Sequence, residues 1–131
     1  EELRQSRSSF SLNTMNIEEL HLFCIQKFGA TDSFPFDNKT LVFKVFGKIF
    51  ALVDIEDFDG INLKCDPAYA LDMRERYAAI IPGFHMNHKH WNTVQFFNDV
   101  DDQLLKELIN HSYQLVYNGL PKKVRDENPL R

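Results

Sequence analysis

Between Pro82 and Val94 the chain reads PGFHMNHKHWNTV, which holds three of the five histidines, a lysine and the only tryptophan. Imidazoles can ligate zinc, move protons near neutrality or, once protonated, face an anion. An indole beside them adds an apolar body with a single N–H donor. His85, His88 and His90 sit in a segment rich in turn residues, and no cysteine or carboxylate neighbours them. No metal site is therefore expected. No acid occurs from Phe84 to Asn98 either, although the chain carries a formal net charge of −4. Imidazoles around Lys89 with no acid between them describe a surface for something polar or anionic. Trp91 is expected to be more than half buried in the sheet–helix interface and structural. Its functional alternative is a groove wall with Asn87 and Asn92 offering hydrogen bonds.

Other chemistry is sparse. The five glycines are isolated, so no loop can cradle a phosphate with backbone amides. Neither a nucleophile elbow nor an activated Cys–His context appears. The expectation is a protein without enzymatic activity and without a cofactor. Asp54, Glu56, Asp57 and Asp59 form an acidic loop that lacks the ligand spacing and closing glutamate of a calcium loop, and it reads as a solvated turn. Cys24 and Cys65 each sit in an apolar pattern and read as small buried hydrophobes rather than a disulfide.

What must position these residues is one domain. At 131 residues and 15.4 kDa the chain can bury a core, and its 44% hydrophobic and 26% charged composition is that of an ordinary globular protein. Charge is uneven: residues 1–60 hold ten acids and six bases, residues 61–131 nine of each. No apolar run reaches the ~20 residues of a membrane span, and no signal-peptide pattern is visible. A cytoplasmic monomer is the expectation.

Residues 1–14 lack periodicity and read as a flexible leader or expression remnant, with the domain over 15–125 and a polar tail over 126–131. Asn16 and Glu19 spell a capping box, and a helix follows to about Phe28, closed by Gly29. Leu41–Val45 and Ile49–Asp54 alternate as a hairpin turning through Gly47-Lys48 in type II′ geometry. Ile61–Cys65 is a third strand. Asp66-Pro67 opens a helix reaching about Tyr77. Phe84–Met86 and Asn92–Phe96 read as a second hairpin joined through Asn87–His90. Asp101 or Asp102 caps a last helix striped by Leu104, Leu105, Leu108, Ile109, Ser112, Leu115 and Val116. Gly119 and Leu120 suit a Schellman close before Pro121, with Lys122, Lys123 and Arg125 opening the tail. The fold class is α+β in two layers: a five-stranded antiparallel sheet with helices on one face, in the order α-β-β-β-α-β-β-α.

With these elements placed, the chain resembles the MmcQ/YjbR family of small bacterial proteins over about residues 15–125. The likeness rests on Phe34-Pro35-Phe36, Leu41–Val45, Asn62–Pro67, Pro82-Gly83 through Val94, and Gly119–Lys123. The resemblance implies a CyaY-like or secretion-chaperone-like fold with a "double wing" of hairpins, likened to wings that bind DNA. Two residues depart from that pattern. Phe46 stands where glycine is common before the first turn, and His88 where lysine is common in the second wing.

The leading functional reading is a DNA-binding module, weak and non-specific, using both wings. Lys44, Lys48, Lys64, His85, Asn87, His88, Lys89, His90, Lys122 and Lys123 would meet the nucleic acid. The alternative is a protein- or small-ligand-binding module with an aromatic groove formed by Phe34, Phe36, Phe84, Trp91 and Asn92.

Overall fold

The capping box forms: Asn16 Oδ1 accepts the Glu19 N–H at 2.8 Å, and Glu19 Oε1 accepts the Asn16 N–H at 2.9 Å. It starts α1 (Ile17–Ile25), which buries Leu20 and Cys24. These details come from a computed structural model that describes residues 15–130; the leader expected over 1–14 lies outside the described residues. Gly29 (φ +73°) turns the chain back after α1, leaving Phe28 outside the helix and partly exposed.

Six strands follow, not five: β1 (Ala30–Ser33), β2 (Thr40–Val45), β3 (Lys48–Asp54), β4 (Gly60–Lys64), β5 (Ile80–Pro82) and β6 (Trp91–Gln95). All neighbours pair antiparallel in the order β1-β2-β3-β4-β6-β5. The unforeseen strand is β1, whose polar ATDS has little strand propensity and lies at the sheet's edge. Helix α2 (Pro67–Arg76) joins β4 to β5, with Asp66 capping it, and α3 (Asp102–Asn118) follows β6, capped by Asp101. A short α4 (Lys122–Glu127) stands where a polar stretch without helix was expected.

Three further expectations are corrected by backbone geometry. Val45 pairs with Lys48, so the first turn is centred on Phe46 (φ +46°) and Gly47 (φ +86°). Two left-handed central residues make the type I′ arrangement, not II′ over Gly47-Lys48. The bulky Phe46 is held there because its ring lies edge-on to Phe28 at 5.5 Å and covers Gly29, where a Cβ would run into it. This wing tip is thus folded back on the body. The second wing is not a hairpin of Phe84–Met86: the strand is Ile80–Pro82, because Ile80 and Ile81 pair with Val94 and Thr93, while His85 (φ +59°) leaves the extended region. Finally, Gly119 (φ −85°) is right-handed, so α3 ends without a Schellman close.

The core lies between the sheet and its helices. Phe43, Phe50, Leu20, Ile61, Ile80 and Leu105 are its largest fully buried side chains. Phe50 gets there through a β-bulge: Phe43 pairs with Ala51 and Lys44 with Ile49, leaving Phe50 as the extra residue. Its ring stands edge-on to Tyr113 at 5.4 Å. The β3–β4 ladder stops at Ala51–Leu63, and the Ser112 hydroxyl fills the gap by donating to the Phe50 carbonyl at 2.6 Å and accepting the Lys64 N–H at 2.8 Å. Sequence reading placed Ser112 in the apolar stripe but passed over its neighbours Tyr113 and Tyr117. Both bury their rings while their hydroxyls reach the carbonyls of Phe28 and Asn128.

Candidate functional site

Antiparallel order sends alternate connections to opposite ends of the sheet. Residues 34–39, 55–59, 77–79 and 96–101 gather at one end, and residues 46–47 and 83–90 at the other, where β4 also finishes at Lys64. The first end is acidic: four of its aspartates are engaged by backbone N–H groups, while Glu56, Asp57 and Asp59 are exposed. Asp37 accepts the Thr40 N–H at 2.6 Å and the Lys39 N–H at 3.0 Å, and these bonds hold its carboxyl below the usual range. Asp54 is lowered likewise, first by the Asp57 N–H, with further help from the Glu56 N–H and Lys39. Asp99 takes the N–H groups of Ala78 and Ala79 at 2.8 and 2.9 Å, and Asp101 takes that of Leu104 at 2.8 Å.

At the opposite end four lysines are unoccupied, and Asp66, just past β4, caps α2. Lys44, Lys48, Lys64 and Lys89 have no ion pair or side-chain hydrogen bond to their ammonium groups among the described residues. Val42, Leu52 and Asn62 are register partners across β2, β3 and β4, so Lys44 and Lys64, each two residues on, share one face of the sheet. Trp91 pairs with Lys64 and joins that face. Lys122 and Lys123 belong to α4 instead, and Lys122 is held by Asp126 at 2.7 Å.

The loop 83–90 is built from two successive turns. Met86 N–H bonds to the Gly83 carbonyl at 3.2 Å; the N–H groups of His90 and Trp91 bond to the Asn87 carbonyl at 3.2 and 3.0 Å. Asn87 Oδ1 accepts the Lys89 N–H at 2.9 Å, so the oxygen read as a ligand contact shapes the turn. Phe84 N–H donates to Thr93 Oγ1 at 2.9 Å, and that hydroxyl donates to Asn62 Oδ1. Arg74 of α2 clamps the base of the loop: Nε bonds to Asn92 Oδ1 at 2.6 Å, while one terminal nitrogen reaches the carbonyls of His88 and Trp91. Sequence reading missed Arg74, which looked like any basic residue in a helix's last turn. His85, His88 and His90 do not assemble with other ligands; among the described residues no group of three His, Cys, Asp or Glu side chains could hold a metal ion.

The tryptophan expectation needs correcting. Trp91 is partly buried, as expected, but its register turns it away from the helices, and it is not part of the core cluster. The inward residue is Asn92, which is 3% exposed. It is consumed structurally, with Oδ1 on Arg74 and Nδ2 donating to the Ala70 carbonyl at 3.4 Å. The aromatic groove does not form either. Phe34 and Phe36 follow β1, whereas Phe84 and Trp91 belong to the β5–β6 side, and β1 and β5 are opposite edges of the sheet. Five strand spacings separate them by about 24 Å. Phe34 instead helps line a cleft of about 480 Å³ beside α1, with Ile17, Leu22, Leu41 and Ile55. His21 Nε2 and Asp32 Oδ2, 2.6 Å apart, form its polar wall.

Both cysteines are free and buried, and burial pushes each thiol up to about 12.

Comparison with known proteins places this architecture among relatives. The sequence model of the YjbR family matches residues 25–115. Protein YbdF of Escherichia coli O157:H7 is 43% identical over 98 residues, covering 74% of this chain and 79% of that protein. Protein YjbR of Escherichia coli K12 is 34% identical over 112 residues, covering 85% and 95%. Among solved structures, Deinococcus radiodurans DR2400 superposes with a TM-score of 0.83 at 37% identity, covering 92% of this chain and 93% of that one. A Pseudomonas syringae protein gives 0.65 at 25% identity, with 78% and 99% covered.

Proposed function

The chain belongs to the YjbR family, and on that premise we propose that it is a non-catalytic module binding the phosphate backbone of nucleic acid through the cationic end of its sheet. One observation carries the reading: Lys44, Lys48, Lys64 and Lys89 collect at one end with no carboxylate engaging them among the described residues, while Asp37, Asp54, Asp99 and Asp101 at the other end accept backbone N–H groups. Among the described residues, internal ion pairing accounts for none of those four cations. A chain of net charge −4 gains nothing from overall attraction, so affinity must come from this local field. Phosphate contacts alone carry no sequence information, so sequence preference should be slight.

Fluorescence anisotropy with a labelled duplex tests it. With about three phosphates neutralised, log affinity should fall against log salt with a slope near −3. Lys48→Glu with Lys89→Glu should remove binding while leaving the melting temperature unchanged. Absence of binding at low salt, or binding indifferent to salt and to both reversals, would overturn the proposal.

A second reading has its own observation. The cleft beside α1 has the size of a small-ligand site, and opposite its apolar residues His21 is oriented by Asp32. It retains the groove alternative at a new address, with Phe34 but without Phe84, Trp91 or Asn92. Chemical-shift mapping with a fragment library would favour it if shifts clustered at Leu22, Phe34 and Ile55, and sink it if they did not.

A further inference from the structure

The loop 83–90 displays an aromatic pair that neither the core nor the lysines explain. Phe84 is 66% exposed, and its ring centroid lies 4.0 Å from that of His85. Exposing a phenylalanine ring to water is unfavourable, and a flexible loop would let it fold down. Here the backbone holds it out. Phe84 N–H is fixed to Thr93 Oγ1, His85 adopts φ +59°, and Gly83 packs on the Trp91 backbone and Cβ with its N–H on the Trp91 carbonyl at 2.8 Å. Arg74 ties the far side of the loop to α2.

The same loop carries His88 and Lys89, and at its base Trp91 pairs with Lys64 across β6 and β4. A fixed, solvent-facing ring among cations is the combination that holds unpaired nucleotides: lysines follow the backbone while bases stack on the ring. In a duplex both faces of each base are already covered, so the ring gains nothing from it. We infer that the cationic end takes single-stranded nucleic acid in preference to duplex, with an unpaired base stacking on Phe84 and His85. The inference rests on the phosphate-binding reading above and adds what occupies the loop.

A second exposed ring supplies the control. Phe97 is 68% exposed and, like His85, left-handed (φ +57°), but it lies at the acidic end beside Asn98 and Asp99. It has the same exposure and the opposite field.

The test compares an oligothymidylate of about a dozen nucleotides, within the span a small domain covers, with a duplex of equal length, by anisotropy and by Trp91 fluorescence. The single strand should bind more tightly and quench or shift the tryptophan emission. Phe84→Ala should weaken single-strand binding by about fivefold or more, the scale of one lost stacking contact. Its effect on the duplex, and that of Phe97→Ala on either ligand, should be negligible. Equal affinity for both ligands, with Phe84→Ala silent and salt dependence intact, overturns the stacking inference alone. No salt-dependent binding of either ligand overturns the phosphate reading and the inference together.

Discussion

At the acidic end of the sheet the turn and cap aspartates have structural partners, whereas at the cationic end the four lysines have none among the described residues. Asp37, Asp54, Asp99 and Asp101 collect backbone N–H groups that loops would otherwise leave to water. Lys44, Lys48, Lys64 and Lys89 collect nothing among the described residues. The contrast separates charge that shapes a fold from charge held in reserve. An acid can satisfy two amides two or three residues away, so turns absorb aspartates readily. A lysine ammonium has only donors to offer, and strand positions near a sheet end give it few local acceptors.

The largest expected effect lies beneath the cationic end. Ser112→Ala strands the Phe50 carbonyl and the Lys64 N–H in a fully buried gap, and should cost about 2–4 kcal/mol in a urea melt. A cost below 1 kcal/mol would mean that the bulge closes up unaided. Trp91→Ala comes next. Its indole faces away from the core, so the loss should be about 1–2 kcal/mol, less than the ~3–5 kcal/mol of a fully buried aromatic. A larger value would return Trp91 to the core.

At the acidic end, Asp101→Ala removes the cap of α3 and should cost about 1 kcal/mol. Lys44→Ala and Lys64→Ala should each stay within about 0.5 kcal/mol, as surface changes do. If those lysine variants destabilise as much as the cap variant, the cationic end is structural and the contrast collapses.

A pH series sharpens the comparison further. His111 Nε2 accepts the Asp66 N–H at 3.1 Å, and burial lowers its pKa from 6.5 despite the opposing pull of Asp66. The unfolded chain therefore binds that proton more readily, so this contribution to stability is present above about pH 6.5 and is lost as the pH falls below it. The lowered carboxyls of Asp37 and Asp54 act in the same sense at lower pH, being lost as the pH drops below about 3.8. Between pH 8 and 6, then, thermal stability should decline slightly. His111→Gln should flatten that change.

Much of this was legible in the residues. The capping box, the Asp66-Pro67 start, the first hairpin's strands and the stripe of α3 all follow from short-range periodicity. What escaped has a long-range cause. β1 is a strand because β2 is there to pair with it, and four polar residues carry no periodic signal of their own. The second wing was displaced by a few residues because Ile80–Pro82 and Phe84–Met86 are both short apolar runs, and only pairing with Val94 and Thr93 decides between them. For the candidate site, the sequence marked the loop 83–90 and the strand lysines but not their separation from Phe34 and Phe36. Edge-to-edge distance depends on strand order, which no local pattern contains. Asn92 and Trp91 show the same limit at the scale of a single step: alternation says that one points inward, and the register says which.

The two buried thiols have a practical consequence. With each held near 12, about one thiol in ten thousand is ionised at pH 8, and the thiolate is the form that alkylating reagents attack. The native cysteines should stay silent toward maleimides while the chain is folded. A single new cysteine at an exposed position, such as His88→Cys at one end of the sheet or Asp57→Cys at the other, can then carry a dye or spin label without prior removal of Cys24 and Cys65. Each end thereby becomes separately addressable in the same wild-type background.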